Sequence, residues 1–399
     1  RPILAWNMLT ANYSYAAASV FRLNEVNLPC KYIELGNEFY LSREQYKQIF
    51  PSVKDYILRA ETWASDYKNL AIPHHINEKL AIVGSIDDGV GQGRGRLWLD
   101  RALEALSPSN AIDAITLHDY IEEPSSTCSL ATISNGLQES FMSLPFKKGD
   151  ELKNSALNSV IQYNLSGVNN PLEIWITEFN LLDQDEKRIG TWLHGLFNAS
   201  MALTYLETED ITKVISHTLL TDGRFGNIFE SNTGFSELKC HGLNANHTPE
   251  IITREGEFTA VGSALNLVAS GLKDATSATQ ILFPGAHLLV DENNVPTIYE
   301  GVYGWKFQKP NGQMSAIIIN FSGVYQAVDI FSNVFPGLSN NDFNATAIFA
   351  NHNMYAIAGN PPTTPSANLD ELNYYNPWRI TPSFVTLRAL PFSMILLEY

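Results

Sequence analysis

The sequence predicts an α/β fold of parallel βα units followed by an all-β domain, and three observations carry that expectation. Up to about residue 273, short runs rich in Ile, Val and Leu alternate with longer stretches of helical period. Beyond it the texture turns to β-branched and aromatic alternation broken by Gly, Pro and Asn turns. Across 399 residues the hydrophobic fraction is 45% and the charged fraction 17%, enough to bury a large core and to exclude disorder as the main state. The chain therefore divides into residues 1–273 and 274–399.

Six strands are expected in the first part: Pro2 to Met8, Lys31 to Phe39, Leu80 to Ile86, Ala114 to Ile121, Glu173 to Phe179 and Lys213 to Leu220. Each is a short apolar run bounded by polar or turn residues. Between them the spacing predicts a helix over Ser42 to Lys68, opened by Ser42 and Gln45 in capping-box spacing, with Tyr46, Ile49, Val53 and Ile57 on one stripe. Arg96 to Leu106, Glu186 to Leu206 and Phe258 to Leu272 read as helices too. In the second part the expected strands are Thr297 to Phe307, Met314 to Phe321, Ala345 to Asn351 and Ser383 to Tyr399, forming an antiparallel sandwich, with the proline-rich segment Asn360 to Pro377 as a loop.

A formal net charge of −16 argues against a nucleic-acid partner, which needs a basic surface to neutralise phosphates. No apolar run approaches the roughly 20 residues that cross a bilayer. Cys30, Cys128 and Cys240 lie far apart and in no metal-ligand spacing, so they allow at most one disulfide. Asn12, Asn164, Asn198, Asn246, Asn320 and Asn344 head glycosylation-type triplets, which a chain rich in Asn, Ser and Thr also yields by chance. Because the chain opens Arg1-Pro2-Ile3, with neither Met nor an apolar leader, a segment upstream is expected to have been removed or never sequenced.

Parallel strands carry functional loops at their carboxyl ends, so the residues closing each strand are the informative ones. Tyr32-Ile33-Glu34-Leu35-Gly36-Asn37-Glu38-Phe39 closes the second strand, and Ile174-Trp175-Ile176-Thr177-Glu178-Phe179-Asn180 closes the fifth. Ile115-Thr116-Leu117-His118-Asp119-Tyr120 places His118 and Tyr120 on one face by the two-residue period of a strand. Asp119, Glu122 and Glu123 read as solvated loop charges. His74-His75 and the Cys240, His241 and His247 group lack metal-site spacing, so no metal or cofactor is expected. The Gly-rich run Asp87 to Arg96 lacks a phosphate-loop signature, and its Arg94 or Arg96 is a candidate contact for an anionic sugar.

Asn-Glu closing one strand, His-x-Tyr closing a later one and Thr-Glu-Phe-Asn closing the next resembles the retaining glycoside hydrolases of clan A. Within that clan the wording is most similar to the α-L-arabinofuranosidases and to the heparanase-like and β-glucuronidase families. The resemblance covers about residues 1 to 220 and implies a (β/α)8 TIM barrel, of which this chain supplies strands three to eight, the first two lying upstream. It implies Glu38 as acid/base, Glu178 as nucleophile, Asn37 on the sugar 2-hydroxyl, Tyr120 orienting Glu178, and His118 on sugar or the acid/base region. Trp6 would be a stacking platform and Asn7 a hydroxyl contact. Glu34, one layer deeper on the Glu38 face, is read as a paired carboxylate inside the barrel. Where the clan commonly has Trp, the sixth strand ends His217-Thr218-Leu219-Leu220.

The chemistry needs two carboxyls about 5 to 5.5 Å apart, one ionised to attack the anomeric carbon and one protonated, with a raised pKa, to release the leaving oxygen. The implied function is hydrolysis of O-glycosidic bonds in a polysaccharide or oligosaccharide, with a catalytically silent carbohydrate-binding protein of the same fold as the alternative. The acidic composition favours arabinofuranosyl or neutral glycans. A secreted or periplasmic location is expected, since polymeric substrates lie outside cells.

Overall fold

The computed structural model describes residues 3–71, 78–86, 93–95, 97–107, 111–122, 135–182, 192–208, 210–217, 260–291, 293–310, 312–336, 343–350, 372–380, 386–389 and 392–399. Cys128, Cys240, His74, His75, His241, Asn246, His247, Arg96 and Glu123 lie outside these residues. Two compact units emerge. One comprises Arg1–Asp119, Asp150–Glu178 and Thr208–Ile215, the other Tyr120–Gly149, Phe179–Glu207 and Ser216–Tyr399.

The first unit is built on a parallel sheet in chain order, β1 (Ile3–Ala5), β2 (Tyr32–Glu34), β3 (Lys79–Val83), β4 (Ala114–Glu122), β5 (Glu173–Leu182) and β6 (Ile211–Ser216). Its strands are the six expected ones, though β1, β2 and β3 end before the expected Met8, Phe39 and Ile86. Neighbouring residues pair in step, as in Ile33 with both Leu4 and Leu80. Such strands are buried on both faces, hence the continuous apolar runs that made them legible. Asp119 is a correction: it lies within β4 and is 2% exposed, whereas Glu122 at the strand end is exposed.

The expected Ser42 to Lys68 helix is two helices, α2 (Glu44–Ile49) and α3 (Val53–Ala71); α1 is Tyr13–Glu25. Pro51 breaks it, since a proline bars helical geometry in the residue before it. The capping box is formed at the restart and not at Ser42: Ser52 N–H donates to Asp55 Oδ2 at 2.9 Å and Asp55 N–H to Ser52 Oγ at 3.3 Å. Helices α4 (Trp98–Ala105) and α6 (Asn158–Leu165) complete this unit's helical layer. Between β4 and β5, α5 (Asn135–Leu152) carries Pro145 in its interior and runs through a π-helical turn, Lys153–Leu157, into α6.

In the second unit α7 (Trp192–Leu206) is buried on all sides and lies close against α8 (Ala260–Leu272). Gly195 permits the approach, for a Cβ there would stand 2.6 Å from the Ala260 carbonyl oxygen. The all-β segment forms a six-stranded antiparallel sheet in the order β14 (Leu372–Ile380), β13 (Phe343–Ala350), β16 (Ser393–Glu398), β11 (Met314–Asn320), β10 (Val302–Gln308) and β7 (Ser277–Ile281). The remaining strands make two ribbons, β12 (Gln326–Asp329) with β15 (Thr386–Ala389) and β8 (Leu288–Val290) with β9 (Pro296–Glu300). Val328, Ala389, Ile318 and Leu397 share one apolar cluster, so the β12–β15 ribbon covers one face, while Ile317 and Phe307 on the opposite face reach Gly271 of α8.

The expected strand Thr297 to Phe307 divides at Gly301, whose N–H donates to His287 O and whose missing Cβ would meet that oxygen at 2.7 Å. The loop expected over Asn360 to Pro377 is corrected from residue 372 onward, where β14 runs through Pro377. That strand is at the sheet edge, and its register with β13 shifts between Ala345 and Ala347, where Asn376 and Pro377 face the single residue Thr346, a bulge on the proline-bearing strand. Edge and bulge are where a residue without an N–H fits a sheet. No described helix is long and apolar enough to cross a membrane.

Candidate active site

At the carboxyl end of β2 the chain makes a tight turn that presents Glu38. Gly36 sits at φ +109° and Glu38 itself at φ +49°, a left-handed conformation that costs a non-glycine residue on the order of 1 kcal/mol. Packing holds the turn in place. Phe39 is buried against Tyr46, Phe50 and Tyr56, and the Tyr56 hydroxyl donates to Leu35 O at 2.9 Å while accepting from Val83 N–H at 2.7 Å. Arg94 fastens the outer side, its Nε donating to Phe39 O at 2.7 Å and its other nitrogens to Phe50 O and Pro51 O.

A Cβ on Gly36 would fall 1.9 Å from the Phe39 ring, which has no room to yield. Gly36→Ala is therefore expected to lower stability by about 3 kcal/mol, combining overpacking with a strained φ. Denaturant titration measures this, and a loss below about 1 kcal/mol would mean the turn is looser than its packing implies.

The centre of the site is His118 on β4, whose side chain is 1% exposed. Its Nδ1 lies 3.3 Å from Glu38 Oε1 and 3.4 Å from Glu178 Oε2, and its Nε2 lies 3.6 Å from Glu34 Oε1. Glu38, His118 and Glu178 each contribute an atom to a set lying within 4.8 Å of one another. Tyr40 donates to Glu38 Oε1 at 3.0 Å. Beneath them Glu34 is buried and accepts from Thr116 Oγ1 at 2.6 Å and Thr177 Oγ1 at 3.5 Å, a paired interior carboxylate as the sequence implied.

Burial opposes a charge on His118, but hydrogen bonds to Glu34 and Glu38 and the negative charges of Glu34 and Glu178 outweigh it, so the imidazole pKa is pushed up to about 10. An imidazolium has no lone pair for a metal, so this trio is not a ligand set while His118 is charged. Burial also raises Glu38, yet the His118 hydrogen bond and charge, the Tyr40 hydroxyl and the Arg43 guanidinium together hold its carboxyl below the ordinary value. This corrects the raised pKa expected of an acid/base: the neighbouring cation and the hydrogen bonds outweigh burial.

The other expected residues fall as follows. Asn37 is exposed in the turn beside Glu38, and Tyr120 stands edge-on to His217 with ring centres 5.9 Å apart. Trp6 is no stacking platform: it is 2% exposed, packed edge-on against Tyr13, Trp63 and Tyr67. Asn7 folds its own turn, Oδ1 accepting from Leu9 and Thr10 N–H and Nδ2 donating to Thr10 Oγ1 at 2.7 Å. Arg94 is likewise spent on main-chain carbonyls. Among the triplet asparagines, Asn198 and Asn320 are buried, Asn12 caps α1 and Asn164 ties Leu172, so only Asn344 of those described presents an exposed amide uncommitted to such a role. Tyr40 and Arg43 went unread in the sequence, although a tyrosine two residues past a strand-terminal glutamate was the available signal.

No family model and no curated sequence matches the chain. Solved structures do. The α-L-arabinofuranosidase from Thermotoga maritima aligns with a TM-score of 0.62 at 13% identity, over 100% of this chain and 75% of that one. The family 51 α-L-arabinofuranosidase AbfB from Bifidobacterium longum gives 0.68 at 11% identity, over 99% and 75%. The GH51 arabinofuranosidase from Xanthomonas axonopodis pv. citri gives 0.59 at 12% identity, over 99% and 74%. The resemblance to clan A glycoside hydrolases is thus carried by the structure: the chain has the fold of these enzymes.

Proposed function

We propose that the chain is a retaining glycoside hydrolase that cleaves O-glycosidic bonds of a polysaccharide or oligosaccharide, with Glu178 as nucleophile and Glu38 as acid/base. The supporting observation is the gap: carboxyl oxygens of the two glutamates come within 4.8 Å, near the roughly 5 to 5.5 Å of double displacement and well under the 6.5 Å or more of inversion. In the first step a Glu178 oxygen bonds to the anomeric carbon as the bond to the leaving oxygen breaks, and that oxygen takes the proton of Glu38. Water then attacks the same carbon, gives its proton to Glu38 and frees Glu178. His118, held between the acids, fixes both and balances the charge as it shifts.

In this reading residues 1–273 form the catalytic (β/α)8 domain and 274–399 a β-sandwich, with Asn37 on the sugar 2-hydroxyl and Tyr120 orienting Glu178. An arabinofuranosyl unit at the scissile bond is favoured because the neighbouring structures are named for that activity. A secreted or periplasmic location follows from a polymeric substrate. The test is a panel of aryl glycosides followed by a 2-deoxy-2-fluoro sugar with an activated leaving group. Release of aglycone and a mass increase of one fluoroglycosyl unit on Glu178 are expected. Binding of sugars without turnover or labelling would instead identify the silent carbohydrate-binding protein.

The depressed Glu38 carboxyl sets a pH dependence. Since the profile of kcat/KM reports groups of the free enzyme, its basic limb should lie on the acid side of the usual carboxyl value near 4.5, activity falling as pH rises through it. A limb at pH 6 or above would show that the cation beside Glu38 does not govern its proton.

A further inference from the structure

A cavity of about 920 Å3 opens where α2, the start of α3 and α4 meet, outside the group formed by Glu38, His118 and Glu178. Among the described residues its wall carries Lys47, Lys54, Arg94 and Arg101 against one acid, Glu104. In a chain with 42 acids and 26 Lys and Arg, chance would surround such a cavity mostly with carboxylates. Arg94 is held rigid by three carbonyls and stacked over Trp98, 5.0 Å from its ring centre. Among the described residues Lys47, Lys54 and Arg101 form no ion pair, although exposed acids are plentiful. Nearby, the Asp55 carboxylate is engaged by Ser52, and Glu44 stands in the first turn of α2. The positive end of the 19-residue α3 points the same way.

Lys54 also interacts with the neighbouring Asp55 carboxylate, but cations with no ion pair among the described residues, gathered on a concave wall, still repel each other and concentrate anions by focusing the field. The volume is at the upper end of the roughly 300 to 1,000 Å3 typical of ligand sites, so one small ion would leave it largely empty. The wall also adjoins the catalytic turn, since Arg94 holds the carbonyl of Phe39, the residue after Glu38. We propose that this cavity binds a carboxylate-bearing stretch of a saccharide chain, as a second carbohydrate site apart from the catalytic pair. The choice of a saccharide over another anion rests on the glycosidase reading. An uncharged sugar at the scissile bond is compatible with uronate units elsewhere on the chain.

Affinity electrophoresis through gels containing polygalacturonate or neutral arabinan tests this, using the parent, the triple variant K47E/K54E/R101E and the milder K54A/R101A. Polygalacturonate should retard the parent, with at least tenfold weaker binding in the triple variant and an intermediate loss in the double, and arabinan should not distinguish them. Equal retardation of parent and variants overturns the proposal. So does full displacement by low millimolar inorganic phosphate, which would mark an adventitious ion site only. The same proteins are assayed on a small aryl glycoside, where rates should match because none of the three residues touches the reacting atoms. Loss of the binding difference with hydrolysis intact rejects the cavity site alone, whereas no hydrolysis by any of them, with the difference intact, rejects the glycosidase reading and leaves an anionic-saccharide site.

Discussion

On the proposed mechanism Glu178→Ala should reduce turnover of an aryl glycoside by about 10⁴-fold, because it removes the group assigned to form the covalent intermediate and leaves only binding and Glu38. The side chain is a quarter exposed, so its truncation should change unfolding free energy by no more than about 1 kcal/mol. The useful control is added azide. A small anion entering the space left by the carboxylate attacks once, so the glycosyl azide should have inverted configuration at the anomeric carbon. An alanine variant that keeps more than a tenth of parental turnover would remove Glu178 from the mechanism, and a rescued product of retained configuration would reassign its role.

His118→Ala should be the most destabilising change at the site, by about 3 to 5 kcal/mol, since it leaves the buried Glu34 carboxylate facing Glu38 and Glu178 without their cation. The milder His118→Gln keeps a donor without the charge and serves where the alanine variant fails to fold. In the parent, the folded imidazole titrates near 10 against about 6.5 unfolded, so the stability it contributes is complete below about pH 6.5 and is lost as pH rises through about 10. Glu38 runs the other way: its depressed carboxyl stabilises above about pH 4.5, and that contribution is lost as pH falls through its folded value. Unfolding temperature measured across pH should fall toward alkaline pH in the parent and do so less in His118→Gln. The glutamine variant should also move the basic limb of kcat/KM upward, as Glu38 loses its strongest charge partner. Parallel stability curves and an unmoved limb would show His118 to be neutral and merely packed.

How far the site could be read without coordinates differed from residue to residue. The grouping of Glu38, His118 and Glu178 was legible because each stands toward the carboxyl end of an expected strand, and strands in a parallel sheet deliver those ends to one rim. Glu34 was legible from the two-residue period. Trp6 was misread because it too follows a strand end; what buried it was Trp63 and Tyr67, supplied by a helix some sixty residues away. Arg94 looked like a ligand-seeking cation in a glycine-rich run, but three carbonyls belonging to residues 39, 50 and 51 absorb its donors. The split of α2 from α3 was in fact written in Pro51 and Ser52, and was obscured by an apolar stripe that continues across the break.

By itself the sequence determined the order of the six parallel strands, the helices α4, α7 and α8, and which acids stand toward the strand ends. These follow from periodicity and from residue chemistry, which act over a few positions at a time. Only the tertiary structure decided the protonation balance of Glu38 and His118, the burial of Trp6 and Asp119, and the gathering of Lys47, Lys54 and Arg101 around one cavity. Desolvation and Coulomb energy depend on distance through space, and residues 34, 118 and 178 become neighbours only once the sheet has curled their strands together.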